Sequence, residues 1–277
     1  MNKIPLVYPS KIGLIAGSGE YPILLAHEAQ GHKTEIVAIG FPNITSLKIT
    51  EVLPNIQWIP FGQFESVINT FLNGGVKQAI FAGKVPQTVI FQSHQFDNTV
   101  KSLLSKLPNQ QANSLIGAAT KAFEAFGVTI LDARIFLESH IADTGAMTQR
   151  TPTENELRDI QFGFRIAKHI AAEDIGQTVV VKQRAILAIE AIEGTDETIT
   201  RAALYGGDGT TIVKVSKPNQ DFRFDVPVIG RETIEIMSLV KAGVLGVEAG
   251  KTLILNKPEV IQRANELNLC LYGVNEI

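Results

Sequence analysis

Apolar runs and amphipathic stretches alternate along the first half of the chain. The runs at residues 11–16, 35–39, 57–60, 78–82 and 128–132 predict strands, and the stretches at 23–30, 63–72 and 114–126 predict helices between them. The polar stretch 92–112 lacks either periodicity and predicts an irregular excursion. Strands that alternate with helices are typical of a parallel sheet flanked by helices. Residues 1–137 are therefore predicted to form a Rossmann-like domain.

The second half begins with a polar segment and then returns to α/β alternation. Residues 138–152 include Gly145, Pro152 and several threonines, which predicts a linker. Thr153 and Glu156 have capping-box spacing and predict the start of a helix that ends near residue 172. Further helices are predicted at 197–204, 232–241 and 258–267, strands at 212–215 and 268–274, and hairpins that pair 178–182 with 185–191 and 245–247 with 252–255. Residues 153–277 are therefore predicted to form a second α/β domain, with a mixed sheet.

Composition narrows the class of protein. The 277 residues are 45% hydrophobic and 19% charged, a balance that suits two globular domains. The net charge is only −3 and the lysines and arginines are scattered, so no nucleic-acid partner is expected. The single cysteine, Cys270, excludes an intrachain disulfide and a cysteine zinc site. No apolar run approaches the roughly 20 residues of a membrane helix, and prolines and glycines interrupt any signal-like pattern, so we expect a cytoplasmic protein.

A glycine turn joins the first predicted strand to the first helix. Gly17, Ser18 and Gly19 stand where backbone N–H groups could approach an anion at a helix amino terminus, or where a tight turn is simply required. The turn also suggests a nicotinamide-dependent oxidoreductase. Two details oppose that alternative, because Pro22 fills the third glycine position and the second strand ends at Gly40 without an acid that could bind a ribose hydroxyl.

A second turn of this kind follows the fourth predicted strand. Gly83 and Lys84 would lie beyond the same edge of the sheet as the first turn, which is where ligands of open parallel sheets bind. We therefore predict substrate contacts at Gly17, Ser18, Gly19, Gly83 and Lys84. An ordinary solvated lysine is the alternative for Lys84.

Two blocks in the second half combine acids, small residues and lysines after apolar runs. The first, residues 190–196, ends in Glu-Gly-Thr-Asp, and the second spans residues 214–230. Both should lie on loops at strand ends. Thr195 and Asp196 could merely cap the next helix. Alternatively, Gly194 and Thr195 would donate hydrogen bonds to a phosphate while Asp196 faces a metal ion.

The second block offers further candidates for a metal and phosphate site. If residues 221–225 are extended, Asp221, Arg223 and Asp225 share one face. Such a face is either a surface row of ion pairs or a site for a metal ion and a phosphate. Hard oxygen ligands of this kind suit Mg²⁺ or a similar divalent cation, and Lys217 would suit a phosphate as a point charge.

Three strings identify a resemblance that covers nearly the whole chain, from residue 11 to residue 274. GLIAGSGEYP at 13–22, EGTD at 193–196 and SKPNQDFRFDVPVIG at 216–230 resemble the LpxI-type UDP-2,3-diacylglucosamine pyrophosphatases. Ser216 departs from the pattern, which has alanine there.

The resemblance implies hydrolysis of UDP-2,3-diacylglucosamine to UMP and 2,3-diacylglucosamine 1-phosphate (lipid X), a step towards lipid A. It favours Asp225, Asp196 and Lys217 as catalytic residues and Gly194, Thr195 and Arg223 as substrate contacts. It also favours Asp225, Asp196 and Asp221 as ligands of Mg²⁺. The expected partner is a lipid-linked nucleotide sugar, with peripheral contact at the inner membrane surface and a homodimer as further candidates. A protein that binds a nucleotide sugar or an acylated sugar without turnover is the alternative.

Overall fold

The computed structural model describes residues 8–85, 96–105, 112–223 and 225–275, without the side chains of 103, 104 and 112–116. It divides the chain into two units. The first contains Met1–Leu137 and Asp221–Asp225, and the second contains Glu138–Gln220 and Val226–Ile277. Residues 138–152, predicted as a linker, thus belong to the second unit. The segment Asp221–Asp225, predicted within the carboxyl-terminal domain, belongs to the first.

The first unit contains a parallel sheet, as its sequence predicts. Its strands are β1 (Lys11–Ala16), β2 (Glu35–Gly40), β3 (Gln57–Trp58), β4 (Gln78–Ala82) and β5 (Thr129–Ile130), in the order β3-β2-β1-β4-β5. The described α-helices are α1 (Tyr21–Gly31), α2 (Phe64–Asn73), α3 (Asn98–Ser105) and α4 (Ala112–Ala125), with a 3₁₀ helix at Leu47–Glu51. Helix α3 corrects the prediction of an irregular excursion over 92–112; residues 92–95 and 106–111 of that stretch lie outside the described residues.

The strand order reverses between β1 and β4. The chain leaves β1 towards β2 and β3 on one side, and returns to β4 and β5 on the other. Neighbouring loops therefore diverge between β1 and β4, which is where open α/β sheets bind ligands. Gly13 of β1 allows close packing under α2, because a Cβ there would lie 2.7 Å from the ring of Phe71.

The second unit contains a six-stranded mixed sheet, in agreement with the prediction. Its order is β6 (Gly145–Ala146), β13 (Cys270–Val274), β11 (Val244–Glu248), β9 (Thr211–Lys214), β7 (Thr178–Lys182) and β8 (Ala185–Ile189). Strands β9, β11 and β13 are parallel, whereas β7 is antiparallel to β8 and β9, and β6 is antiparallel to β13. A separate parallel pair is formed by β10 (Val228–Ile229) and β12 (Leu253–Ile254).

Helices cover both faces of this sheet. They are α5 (Glu154–Ala172), α6 (Thr195–Gly206), α7 (Arg231–Leu239) and α8 (Lys257–Glu266), with a 3₁₀ helix at Glu138–His140. The predicted capping box of α5 is present, since Thr153 and Glu156 exchange side-chain and backbone hydrogen bonds. Helix α5 packs Ile160, Phe164 and Ala167 on one face, and α6, α7 and α8 pack on the other. Apolar periodicity on α5 thus correctly predicted its buried side.

Two predictions for this unit were wrong. Residues 245–247 and 252–255 do not form a hairpin, because β11 pairs with β9 and β13 while β12 pairs with β10. Residues 138–152 are not a free linker, because β6 adds to the sheet and Lys257 Nζ lies 2.7 Å from Asp143 Oδ2. Within the described ranges, no helix is both long and apolar enough to cross a membrane.

Candidate functional site

The block 190–196 and the first residues of the block 214–230 lie at one edge of the sheet in the second unit. Strands β8, β9, β11 and β13 point in the same direction, so their carboxyl ends share this edge, and antiparallel β7 begins there. The block 190–196 follows β8 directly, and the block 214–230 begins with the last residue of β9. Their predicted placement at strand ends is therefore confirmed.

A buried lysine, a half-buried threonine and a buried glutamate connect the first block to β9. Lys214 Nζ donates to Thr195 Oγ1 at 2.5 Å, and Thr195 Oγ1 donates to Glu190 Oε1 at 3.0 Å. The backbone N–H of Gln177, just before β7, donates to Glu190 Oε2 at 3.1 Å. Glu190 and Lys214 are 9% and 6% exposed. Opposite charges on both sides of the hydroxyl fix the Thr195 side chain at the start of α6.

The environment of Glu190 keeps it ionised. Burial alone would raise the pKa of this carboxyl, but the charge of Lys214 and hydrogen bonds from Thr178, Gln177 and Thr195 outweigh burial and lower the pKa. A buried carboxylate of this kind needs its cation, since an unpaired charge in the interior is strongly destabilising.

Helix α6 begins without a side-chain cap. Its N-cap is Gly194, at φ 88°, and no side chain accepts a hydrogen bond there. The simple capping alternative for Thr195 and Asp196 is therefore wrong. Asp196 instead accepts a hydrogen bond at Oδ1 from Thr233 Oγ1 of α7, at 2.9 Å. A Cβ on Gly194 would meet no atom within 4 Å, so the approach to this helix terminus is open.

Lys217 lies on the second block in a local network of its own. Its Nζ lies 2.5 Å from Asp174 Oδ1. Its backbone N–H donates to Gln220 Oε1 at 2.9 Å, and Gln177 Nε2 donates to the same oxygen at 3.3 Å. These bonds hold the loop after β9 against the residues that precede β7, so Lys217 and the Glu190 cluster belong to one edge of the sheet.

Ser216, where the family pattern has alanine, contacts a buried glutamate. Its backbone N–H and Oγ each donate to Glu248 Oε2 at 2.8 Å. Glu248, at the end of β11, is 1% exposed and also binds Lys168 of α5 and Lys251. Burial would raise the pKa of Glu248, but the bonds from Lys251, Ser216 and Lys168 lower it. The serine therefore adds one hydrogen bond to a cluster that supports the loop.

In the first unit, the two glycine turns bind each other at the ends of β1 and β4. Gly17 N–H donates to the carbonyl of Ala82 at 2.7 Å, and Ser18 N–H and Oγ donate to the carbonyl of Lys84 at 2.8 and 2.9 Å. Lys84 N–H returns a bond to the carbonyl of Ser18 at 3.3 Å. The prediction that these turns lie side by side is confirmed. The N–H groups of Gly17, Ser18 and Lys84 are, however, already used within the protein.

Both turns require glycine for steric reasons. A Cβ on Gly17 would lie 2.6 Å from the carbonyl oxygen of Lys84, and a Cβ on Gly83, at φ 91°, would lie 2.5 Å from that of Ser18. Gly19, at φ 88°, has open space around it. Gly19 and Glu20 are exposed at the start of α1. These two positions therefore offer the backbone N–H groups that an anion could approach.

The segment Asp221–Asp225 forms a turn rather than an extended strand. Asp225 N–H donates to the carbonyl of Asp221 at 3.2 Å. The chain is therefore not extended here, and the condition under which Asp221, Arg223 and Asp225 would share one face is not met. Arg223 Nε donates to both carboxylate oxygens of Asp221, at 3.0 and 3.1 Å, and its NH1 lies 3.3 Å from Glu124 Oε1. Asp221 therefore stabilises the arginine with both of its oxygens.

The same turn contacts the loop after β5. Ala133 N–H donates to the carbonyl of Phe222 at 2.9 Å. The guanidinium carbon of Arg134 lies 3.5 Å from the centre of the Phe222 ring. Asp132 orients Arg134 through its Nε and NH2 groups, as Asp221 orients Arg223. The first unit thus presents two arginines, each fixed by the aspartate two residues before it.

The candidate metal ligands are divided between the units. Asp196 belongs to the second unit, and Asp221 and Asp225 belong to the first. Within the described part of the chain, no three His, Cys, Asp or Glu residues gather as a metal centre. Mg²⁺ commonly binds one or two carboxylates together with water and substrate phosphates. Asp196 fits that role better than Asp221, because Thr233 occupies only one of its oxygens.

Comparisons with known proteins cover both units. The model of the LpxI N-terminal domain matches residues 11–140, and that of the LpxI C-terminal domain matches residues 143–272. The chain belongs to the LpxI family. The UDP-2,3-diacylglucosamine pyrophosphatase LpxI of Caulobacter vibrioides is 29% identical over 279 residues, which cover 96% of this chain and 98% of that protein. The bifunctional purine biosynthesis protein PurH of Bartonella tribocorum is 34% identical over 80 residues, covering 22% of this chain and 15% of PurH.

In this LpxI family member, the charged residues that support the loops were not predicted from the sequence. Glu190, Lys214 and Glu248 end or follow apolar strands, and Lys168 lies on α5. The sequence does show a charged residue at the end of each apolar run, and such residues tend to face the functional edge of a parallel sheet. Their pairing depends on the strand order, which the sequence does not show.

Proposed function

We propose that this chain is a UDP-2,3-diacylglucosamine pyrophosphatase. The observation that carries the proposal is the match of LpxI amino- and carboxyl-terminal domain models in series along the chain. The full-length relative of that name supports it. In the reaction, a water oxygen bonds to one phosphorus, and the bridging oxygen leaves with the other phosphate. The products are UMP and 2,3-diacylglucosamine 1-phosphate.

The edge of the second sheet suits a diphosphate. Thr195 and Asp196 occupy the first turn of α6, whose N–H groups point towards its open amino terminus. Lys217 carries positive charge at the same edge, balanced by Asp174 in the absence of substrate. Exchange of that carboxylate for a phosphate would keep the lysine paired throughout. In this proposal Glu190 and Lys214 hold Thr195 and do not touch the substrate.

Metal dependence is a further part of the proposal. The candidate ligands for Mg²⁺ or a similar cation are Asp196 in the second unit or Asp225 in the first, in either case together with substrate phosphate oxygens. When bound, such an ion neutralises charge on the phosphoryl oxygens. Asp225 would act on the attacking water or on the ion. Because Asp221 is engaged by Arg223 through both oxygens, we assign it to the support of that arginine.

The decisive experiment incubates purified protein with UDP-2,3-diacylglucosamine and measures release of UMP, with Mg²⁺ and with EDTA. We expect release with Mg²⁺ and none with excess chelator. Asp208→Asn is the control variant, since Asp208 is an exposed acid whose Oδ2 lies 3.4 Å from Lys241 Nζ. Full activity in EDTA would refute metal dependence and leave the hydrolase intact.

Binding without turnover would favour the alternative of a nucleotide-sugar binding protein. Calorimetry measures substrate binding in the same buffers. Mg²⁺, Mn²⁺ and Ca²⁺ are each supplied, because an enzyme that lacks its metal ion would also bind substrate without turnover.

Because the proposed substrate carries two acyl chains, we also propose peripheral contact with the inner membrane surface, from the cytoplasmic side. Sedimentation of the purified protein tests the further proposal of a homodimer.

A further inference from the structure

Within the part of the chain that the structure describes, two arginines differ from the others because they lack a carboxylate partner. The chain has nine arginines, all within the described residues. Seven of them lie within 4.0 Å of an Asp or Glu, namely Arg134, Arg150, Arg158, Arg201, Arg223, Arg231 and Arg263. Among the described residues, Arg165 and Arg184 have no such partner. These two guanidinium groups are therefore available to an external anion.

Both unpaired arginines line the same cavity, on the outer side of α5. It has a volume of about 370 Å³ and is lined by Arg158, Gln161, Phe162, Arg165 and Arg184. Arg158 has only a surface partner, Glu154, at 3.3 Å, and both side chains are more than half exposed. A surface pair of this kind contributes little and exchanges readily. Three guanidiniums and one amide thus surround the cavity.

The backbone that presents Arg184 is conformationally unusual. Gln183 and Arg184 form the two-residue turn between β7 and β8 at φ 51° and 60°, where glycine or asparagine is ordinarily preferred. The buried Asp159 compensates, because its two oxygens accept the N–H groups of Gln183 and Arg184 at 2.8 and 2.7 Å. Strained positions that the surrounding structure maintains are often functional. Asp159 directs both oxygens to the backbone and does not pair with the Arg184 guanidinium, which lines the cavity.

The cavity is separate from the proposed reaction site. The turn 183–184 follows the carboxyl end of antiparallel β7, so it lies at the edge where β9 begins. The loops that contain Thr195 and Lys217 lie at the opposite edge of the same sheet. The cavity therefore has no role in those contacts.

We propose that this cavity is a second anion site, which binds a phosphoryl group through Arg165 and Arg184. Guanidinium groups donate paired hydrogen bonds in a planar fork that matches phosphate oxygens. Arg158 and the Gln161 amide supply further donors, and Phe162 offers an apolar wall for the rest of the ligand. A soluble phosphate ester and a phospholipid headgroup share this chemistry.

The test uses the full chain and three probes at constant ionic strength. Calorimetry measures pyrophosphate binding, and co-sedimentation measures binding to vesicles of phosphatidylglycerol and of phosphatidylcholine. The variant Arg165→Gln/Arg184→Asn removes both guanidiniums, and asparagine tolerates the turn conformation. The control Lys33→Gln/Lys48→Gln removes the same charge from exposed lysines of the first unit. Circular dichroism verifies that each variant is folded.

We expect the wild type and the control to bind pyrophosphate at one site more than the arginine variant, or with an affinity for one site that is about tenfold higher. Loss of phosphatidylglycerol binding without any change in pyrophosphate binding would identify a headgroup as the ligand. Equal binding of all probes by wild type and arginine variant would overturn the proposal, and so would no binding at all. UMP release is not used here, so failure of this site and failure of the proposed reaction are distinguishable.

Discussion

At the scale of single residues, the second unit depends on buried charges that end its strands. Lys214 and Glu190 come from neighbouring parts of one edge and both contact the hydroxyl of Thr195. Their contribution is conditional, because each charge is tolerable only while the other remains. Substitution of one partner should therefore be far more damaging than substitution of both.

Lys214→Met tests that dependence. Removal of the ammonium leaves Glu190 buried without a cation, so the free energy of unfolding should fall by roughly 3–5 kcal/mol. Glu190→Gln in the same chain should restore part of the loss. The control is Lys182→Met, since Lys182 donates to the backbone carbonyls of Gly206 and Asp208 and has no carboxylate partner among the described residues. Urea unfolding measures all three, and equal losses in Lys214→Met and Lys182→Met would contradict the argument.

Asp225→Ala tests the catalytic assignment. A carboxylate that holds the metal ion or orients the water acts mainly in the transition state, so kcat should fall by a factor on the order of 10² or more while substrate still binds. UMP release and calorimetric binding are measured on the same preparation, with Asp208→Asn as the control. If kcat stays near normal, the role belongs to another acid, and Asp196 is the next candidate.

At the scale of elements, the glycine turns after β1 and β4 act as one structure. Predicted separately, they proved to be joined by four hydrogen bonds between Gly17 or Ser18 and residues 82–84. The turns therefore support the end of the sheet as well as offering an anion position at Gly19. Substitutions should separate these two roles.

Gly17→Ala and Gly19→Asn distinguish them. The new Cβ at Gly17 would lie 2.6 Å from a backbone oxygen, so the melting temperature should fall by several degrees, whereas asparagine tolerates the φ of 88° at Gly19. Gly19→Asn should instead raise KM, because its side chain enters the open space that a phosphate would use. Gly75→Asn, at another open turn with φ 67°, is the control. Unchanged KM in Gly19→Asn would assign this turn to the fold alone.

Some of these elements could be predicted from the sequence and others could not. The apolar runs at 11–16, 78–82 and 178–182 matched their strands residue for residue, because burial on both faces produces a continuous pattern. The hairpin over 245–255 failed because β11 finds parallel partners far along the chain, which no local signal encodes. The turn at Asp221–Asp225 was not predicted for the same reason, because its residues contact Glu124 and Ala133, which lie far away in the sequence.

At the scale of the whole molecule, acid sensitivity is unevenly distributed. The carboxyls whose pKa is clearly lowered are Glu156, Glu190, Glu193, Glu235, Glu248 and Glu266 in the second unit and Asp221 in the first, within the described residues. Glu193, Glu235 and Glu266 form their ion pairs at the surface, where salt screens the interaction. Glu190 and Glu248 are buried, so they contribute most to the pH dependence of stability.

Acidification should therefore unfold the second unit first. A carboxyl whose pKa is lower in the folded than in the unfolded state stabilises the fold above its unfolded pKa of about 4.3, and this contribution disappears as the pH falls through the folded pKa. Trp58, the single tryptophan, lies on β3 and reports on the first unit. On titration from pH 7 towards pH 3, circular dichroism should change at a higher pH than Trp58 fluorescence, since separate units need not unfold together. Glu190→Gln/Glu248→Gln should be less stable at pH 7 but should depend less on pH. Coincident transitions in the wild type, or an unchanged pH dependence in that variant, would show that other groups govern acid unfolding.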